Sequence, residues 1–357
     1  MFRVVEGATE LVKVRRKETK DIAQRLGYIA PSKIHIRNHP IETPVAAFNP
    51  ALYANNEYLK LYPRIIVGYY MYVSAIAAVE IPISDLEGGK FEHAHFSADI
   101  VLYPDCRYDV WGAEDPRVNV INDTAYMVYT GRSINYFNPV VRKERTLPIV
   151  AVSNANDGRR WVKKGVFVLP DIFRNHIVSD KDAFVVRTPD DQLWLFHRPH
   201  TDDEVFHLVV SKITVDPRDV ESFSEIRVVD THVVLTPAPF EIKLGWAAPP
   251  IEVEPGRYLA LIHAVDREVE AYKVFAALFR YEQGKGFVPE AVTPFYIMEP
   301  RTIYEVYGDR PLVVFPCGNV LVDDQIVVAY GAADYVVGIA RIDKQELLSL
   351  LEKGSAS

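Results

Sequence analysis

The stretch FNPALYANNEYLKLYPRIIV, residues 48–67, is one unit of a pattern that recurs along the chain. It opens on an anchor, Asn49, passes through a turn-forming Asn55-Asn56-Glu57 and runs into a β-branched and aromatic segment. Four later stretches follow the same plan, around Asp115 in EDPRV, Asp182 in DKDAF, Pro250 in APPIE and Cys317 in FPCGN. The anchors are 66, 67, 68 and 67 residues apart. Behind each lies a turn (Asn122-Asp123, Pro189-Asp190-Asp191, Glu254-Pro255-Gly256, Asp323-Asp324) and then a strand-like run: AYMVYTG, LWLFHRP, RYLALIHAV or IVVAYGAAD. A fixed period of this kind marks units that bury their apolar faces only against neighbours. Four short strands and their turns fit such a unit, and such units close into a ring. The expected fold is therefore all-β, a five-bladed β-propeller over residues 41–343, whose channel is lined by equivalent positions from every blade. The anchors are candidates to converge on one site there.

The flanks read differently. Residues 8–26, ATELVKVRRKETKDIAQRL, place Leu11, Val14, Ile22 and Leu26 among charges with Gly27 behind them, and predict a short amphipathic helix. With the proline-bearing NHPIETP that follows it makes an N-terminal helix and extended arm over residues 1–40. DKQELLSLLEKG predicts a C-terminal helix, and residues 344–357 end in a GSAS tail.

Composition narrows the function. The chain has 357 residues, and 49% of them are hydrophobic, enough for an extensive core. A net charge of −8 argues against broad binding to nucleic acid or to an anionic membrane, both of which need a basic surface. Cys106 and Cys317 form no metal-ligand or disulfide spacing and read as buried thiols, so no metal is expected. No apolar run reaches membrane-span or signal-peptide length, which predicts a cytoplasmic protein. The basic stretch RSINYFNPVVRKERTLPIV reads as a solvated face.

The strongest chemical signal is Glu114-Asp115-Pro116-Arg117. The proline predicts an extended backbone that holds Asp115 in a defined direction. Glu114 and Arg117 flank it with opposite charges, the kind of competition that poises a carboxyl to hold and release a proton. Taken alone, the string fits a salt-bridged turn equally well.

Together with its surroundings, the chain resembles glycoside hydrolase family 130. The resemblance rests on FNPA at 48–51, GAEDPR at 112–117, KDA at 181–183, HRP at 197–199, IKLG and PPI within 242–251, LIHAV with His263, VFPCG, and YGAAD at 330–334. It implies a propeller enzyme that cleaves β-mannosides with inversion, with Asp115 as the general acid acting through a hydroxyl of the bound mannose. Asn49, Arg64 and Asp334 match positions that hold the mannosyl unit, and Glu114, Arg117, Asp182 and His197 fall within the matched motifs as further substrate-binding candidates. Lys243, His263 and Tyr272 match phosphate-binding positions, with Lys163 or Lys164 as a further cation. No cofactor is implied beyond inorganic phosphate as co-substrate; the partners are the mannoside or oligosaccharide and phosphate, with self-association into a homo-oligomer as a further expectation.

Two features depart from the family pattern: Asp180 stands where phosphorylases often carry Arg before KDA, and Ser74-Ala75-Ile76 replaces a Ser-Arg-Ile string. The matched phosphate-binding positions favour phosphorolysis, releasing mannose 1-phosphate; Asp180 as a base for water would make the enzyme an inverting hydrolase, the alternative reading. A non-enzymatic sugar-binding propeller would repeat one pocket on several blades, whereas these anchors (Asn, Asp, Asp, Pro, Cys) differ as one asymmetric site requires.

Overall fold

The computed structural model describes residues 2–55 and 57–355; Asn56 of the first turn and the last two residues of the GSAS tail lie outside the described residues. Pairing gathers the strands into five antiparallel groups. The first is Ala46–Ala54, Tyr58–Ile66, Ser74–Pro82 and Phe96–Leu102. The second is Ala113–Ile121, Thr124–Arg132, Thr146–Asn154 and Val162–Val168. The third is Ile177–Arg187, Leu193–Thr201, Leu208–Ile213 and Ser224–Leu235. In the fourth, Glu241–Trp246 and Ile251–Glu254 both pair with Arg257–Asp266, followed by Tyr272–Glu282 and Gly286–Val292. Pro249 and Pro250 fall in the gap of that divided strand, where neither can donate to the ladder. The fifth is Val314–Val322, Gln325–Ala332 and Val336–Asp343, completed by Gln24–Ile29 from the far end of the chain.

Side-chain alternation explains how these groups close into a β-propeller. Along Gln325–Ala332, Ile326, Val328, Tyr330 and Ala332 pack against the fourth group, with Leu259, Leu261 and Val274. Val327 and Ala329, on the other face, pack against Ala47, Leu52 and Leu61 of the first group. Thr124–Arg132 divides in the same way, with Tyr126 and Val128 facing the third group and Met127 and Tyr129 facing the first. A strand buried on both faces reads as a continuous apolar run. The third and fourth groups meet through Phe184, Phe196, Trp246 and Phe287, whose rings stand 4.7 to 6.1 Å apart in mostly edge-on pairs.

The N-terminal helix expected over residues 8–26 does not form. A 3-10 turn spans Leu11–Val14, and by Gln24 the chain is already a strand paired with Val336–Asp343. Arg15 explains part of the difference: its guanidinium is buried, donates to Glu241 Oε1 at 2.7 Å and lies 3.6 Å from the Phe275 ring centroid. Tertiary contacts, not helical periodicity, set this segment. At the other end the helix Lys344–Glu352 forms, with the Asp343 carboxylate accepting from the Glu346 N–H.

Candidate active site

On the first strand of the first three groups the pairing register slips at the anchor, between Phe48 and Ala51, Glu114 and Arg117, and Lys181 and Phe184. Asn49, Asp115 and Asp182 stand at these slips with φ of 47°, 46° and 55°. This left-handed region is one that Asn and Asp tolerate better than most residues. A bulge bends its strand and re-aims a side chain, and all three anchors turn into one cavity of about 640 Å³. The extended backbone expected at Asp115 is thus corrected: the bulge overrides the preference imposed by Pro116. Pro250 and Cys317 do not reach the cavity; Cys317 is buried among Val265, Tyr272, Val313 and Phe315. Cys106 is only half-buried.

One wall is built around Asp115. Its Oδ1 accepts from Asn49 Nδ2 at 2.8 Å and from Arg64 Nη1 at 3.1 Å. Arg64 Nη2 also donates to Glu114 Oε1 at 3.3 Å, and Glu114 is held further by Arg132 Nε at 2.6 Å and Lys181 Nζ at 3.2 Å. Burial alone would raise the Glu114 carboxyl, but Arg64, Lys181 and Arg132 keep it well below the ordinary carboxylate range. Glu114 is therefore a fixed anion that orients cations. Asp334, which follows the second strand of the fifth group, is the opposite case: burial, helped by the charge of Asp115, pushes it up to about 6. The close approach of the two groups needs Gly331, where a Cβ would sit 1.7 Å from Asn49 Oδ1.

Arg117 does not flank the Asp115 carboxylate as the sequence suggests. It is fully buried below the cavity, donating to the carbonyls of Asp115 (2.9 Å), Ala247 (2.9 Å) and Trp246 (3.1 Å) and to Asp182 Oδ1 (3.1 Å). The bulge shifts the alternation of side chains along Ala113–Ile121, and the guanidinium ties three strands together instead.

The facing wall is cationic. Asp182 Oδ2 takes Arg198 Nε at 2.5 Å and His263 Nε2 at 3.2 Å. Burial would raise this carboxyl too, but Arg198, Arg117 and His263 hold it well below its usual range. His263 is pushed down to about 4, chiefly by burial, so near neutral pH it is an uncharged ring donating to Asp182. It is fully buried behind Gly245 and does not line the cavity. Lys243 does. Its Nζ lies 5.0 Å from the Phe206 ring centroid and 5.6 Å from that of Tyr272, with no carboxylate at salt-bridge distance among the described residues. Burial, then the charge of Arg198, pushes it down to about 7. Arg310 completes this wall, donating to the Tyr272 hydroxyl at 3.2 Å.

His197 is not brought to the cavity. Its ring is fully buried, with Nδ1 2.7 Å from Asp180 Oδ2 and Nε2 2.7 Å from Ser211 Oγ. Asp180 therefore stands behind the wall, bonded to His197 through Oδ2, and is not among the residues that line the cavity. Lys163 and Lys164 are also elsewhere: Lys163 donates to Tyr103 O at 2.7 Å and Asp109 Oδ2 at 2.6 Å, and Lys164 to Val220 O at 2.8 Å. Conversely, the stretch read as a solvated face sends Arg132, Tyr136 and Phe137 into the cavity. Sequence reasoning also passed over Lys181 and Arg198, although both stand inside quoted motifs, KDA and HRP. Arg310 had no signal at all.

A β-propeller whose channel sets an open carboxylate, Asp115, and a cluster of cations around a sugar-sized cavity is built as a carbohydrate-active enzyme. A sequence-family profile described as beta-1,4-mannooligosaccharide phosphorylase matches residues 13–353, and the chain belongs to that family, glycoside hydrolase family 130. It is 29% identical over 256 residues to a beta-1,2-mannobiose phosphorylase of Thermoanaerobacter sp. (strain X514), covering 69% of this chain and 72% of that protein. A 1,2-beta-oligomannan phosphorylase from the same organism is 28% identical over 251 residues, covering 69% and 73%. Among solved structures, the β-1,2-mannobiose phosphorylase of Listeria innocua in complex with β-1,2-mannobiose shares the fold, with a TM-score of 0.69 over 92% of this chain and 99% of that one at 20% identity. No helix among the described residues is long and apolar enough to cross a membrane.

Proposed function

We propose that this enzyme cleaves β-mannosides by phosphorolysis with inversion. A phosphate oxygen forms a bond to the anomeric carbon, the bond from that carbon to the glycosidic oxygen breaks, and mannose 1-phosphate leaves with the shortened saccharide. Asn49, Arg64 and Asp334 hold the mannosyl unit. Asp115 supplies the proton for the departing oxygen, relayed through a sugar hydroxyl. Both donors to Asp115 reach Oδ1, which leaves its other oxygen open to the sugar hydroxyl.

The observation that carries this reading is the chemistry of the facing wall. Lys243, Arg198, Arg310 and Tyr272 line one part of the cavity, where the Asp182 carboxylate is already bonded to Arg117, Arg198 and His263. An inverting hydrolase needs a free carboxylate there to activate water, whereas an array of guanidinium and ammonium groups suits a phosphate dianion. In this reading His263 acts through Asp182 and not on the anion itself. The two Thermoanaerobacter relatives support the same reading by their names, both phosphorylases.

The test is product analysis on β-1,2- and β-1,4-linked mannobiose with and without phosphate. Mannose 1-phosphate formed only when phosphate is present is expected, on at least one of the two linkages. Free mannose released at a phosphate-independent rate makes the enzyme a hydrolase.

A further inference from the structure

The cations of the facing wall are fixed in different ways. Arg198 is held by the Asp182 carboxylate, and Arg310 by the Tyr272 hydroxyl at 3.2 Å. Lys243 has neither kind of partner among the described residues; its Nζ lies over two rings, 5.0 Å from the Phe206 centroid and 5.6 Å from that of Tyr272. A carboxylate would fix an ammonium only by cancelling its charge. Ring faces attract it through their quadrupoles and leave the charge intact for an anion. That matters for lysine, whose four-carbon stem is otherwise free to swing.

The two rings are supplied differently. Tyr272 opens the strand Tyr272–Glu282, whereas Phe206 stands, partly exposed, on the turn that joins Leu193–Thr201 to Leu208–Ile213. That turn is fastened at several points. Thr201 Oγ1 donates to the Val205 carbonyl at 3.2 Å, and the Glu204 carboxylate accepts from His200 Nε2 at 3.0 Å and from Arg142 of the second group's loop. Glu204 itself has φ 65°, a conformation that persists where the surroundings impose it. The His200 ring stacks on Phe206 with centroids 4.1 Å apart and planes 8° from parallel. Pairing and stacking together aim one aromatic ring of a surface turn into the cavity, beside Arg198 as well as Lys243.

We infer that Phe206 is a positioning residue for the anionic substrate, one that holds the Lys243 ammonium in place without neutralising it and touches no reacting atom itself. This role rests on the phosphorolytic reading, in which Lys243 meets phosphate.

The experiment measures kcat and the KM values for phosphate and mannoside in Phe206→Leu and Phe206→Tyr, and in Phe206→Leu combined with Lys243→Ala. Leucine keeps most of the bulk and removes the ring. Losing one contact between cation and ring is expected to raise the KM for phosphate by about three- to tenfold, with kcat and the KM for mannoside within about twofold. Phe206→Tyr keeps the ring face and should stay within about twofold throughout. In the Lys243→Ala background Phe206→Leu should add nothing, because the contact is already gone. Calorimetric binding of inorganic phosphate in an Asp115→Asn background should show the same loss without turnover. An unchanged KM for phosphate in Phe206→Leu, equal losses in both KM values, a Tyr variant as impaired as the Leu variant, or a full loss that persists without Lys243 would each overturn the positioning role and leave phosphorolysis standing. Free mannose released by the parent protein at a phosphate-independent rate would overturn the phosphorolytic reading, and this role with it.

Discussion

Asp115 and Asp182 occupy equivalent bulges 67 residues apart, with nearly the same backbone, yet their carboxylates have opposite fates. Asp115 is bonded through one oxygen only, and its other oxygen is left to the cavity. Asp182 is bonded through both, to Arg117 on one side and to Arg198 and His263 on the other. The repeat delivers a carboxylate to the channel in each case. Whether that carboxylate can hold a proton for the reaction depends on how many cations the neighbouring strands bring to it.

If that contrast is right, the two carboxylates should fail in different ways. Asp182→Asn leaves two buried guanidinium groups short of a counter-charge, and stripping one partner from a buried ion pair costs about 3–5 kcal/mol. Urea or thermal unfolding should show this loss; a stable Asp182→Asn protein that had lost only turnover would mean that Asp182 works chemically. Asp115→Asn is expected to fold normally and to lose turnover by about two orders of magnitude or more, since the amide has no proton to donate. Near-normal turnover in that variant would remove Asp115 from the acid role.

The cationic wall offers a sharper test. Lys243→Ala should raise the KM for phosphate by roughly ten- to thirtyfold, the worth of one charge-assisted contact, with a much smaller change in the KM for mannoside. Equal changes in both constants would place Lys243 between the two substrates. The smallest effect expected is the dependence on pH. With its pKa pushed down to about 7, the Lys243 ammonium is present below that pH and lost above it. The KM for phosphate should therefore rise by about fivefold between pH 7 and 8, as the charged fraction falls. Lys243→Arg keeps its charge throughout that range and should flatten the rise, although phosphate itself titrates identically in both proteins; identical profiles would show that Lys243 does not set the dependence.

Much of the architecture was legible because a strand buried on both faces advertises itself. Runs such as AYMVYTG and IVVAYGAAD have no polar face, and together with the turns before them they mark the second strand of each group. The N-terminal segment misled for the same reason in reverse. Its apolar residues recur at helical spacing, yet Arg15 and the strand Gln24–Ile29 are claimed by distant partners that no local pattern reveals. At the site, Asp115, Asn49, Arg64, Asp334, Lys243 and Tyr272 were picked out and all line the cavity. Arg117, His197 and His263 were picked out too, and lie behind it.

The chain order of apolar runs, turns and anchors was enough to establish a repeating β architecture and to bring Asn49, Asp115 and Asp182 to matching places in it, because strand patterning and the spacing of a repeat are read along the chain. Which of those anchors stays free, which cations stand opposite it, and that Arg132, Lys181, Arg198 and Arg310 line the cavity were decided only by the closed ring. Charge pairing around a channel depends on distances between residues far apart in sequence, such as Arg117 Nη2 and Asp182 Oδ1 3.1 Å apart, and those distances come into being only when the sheets pack.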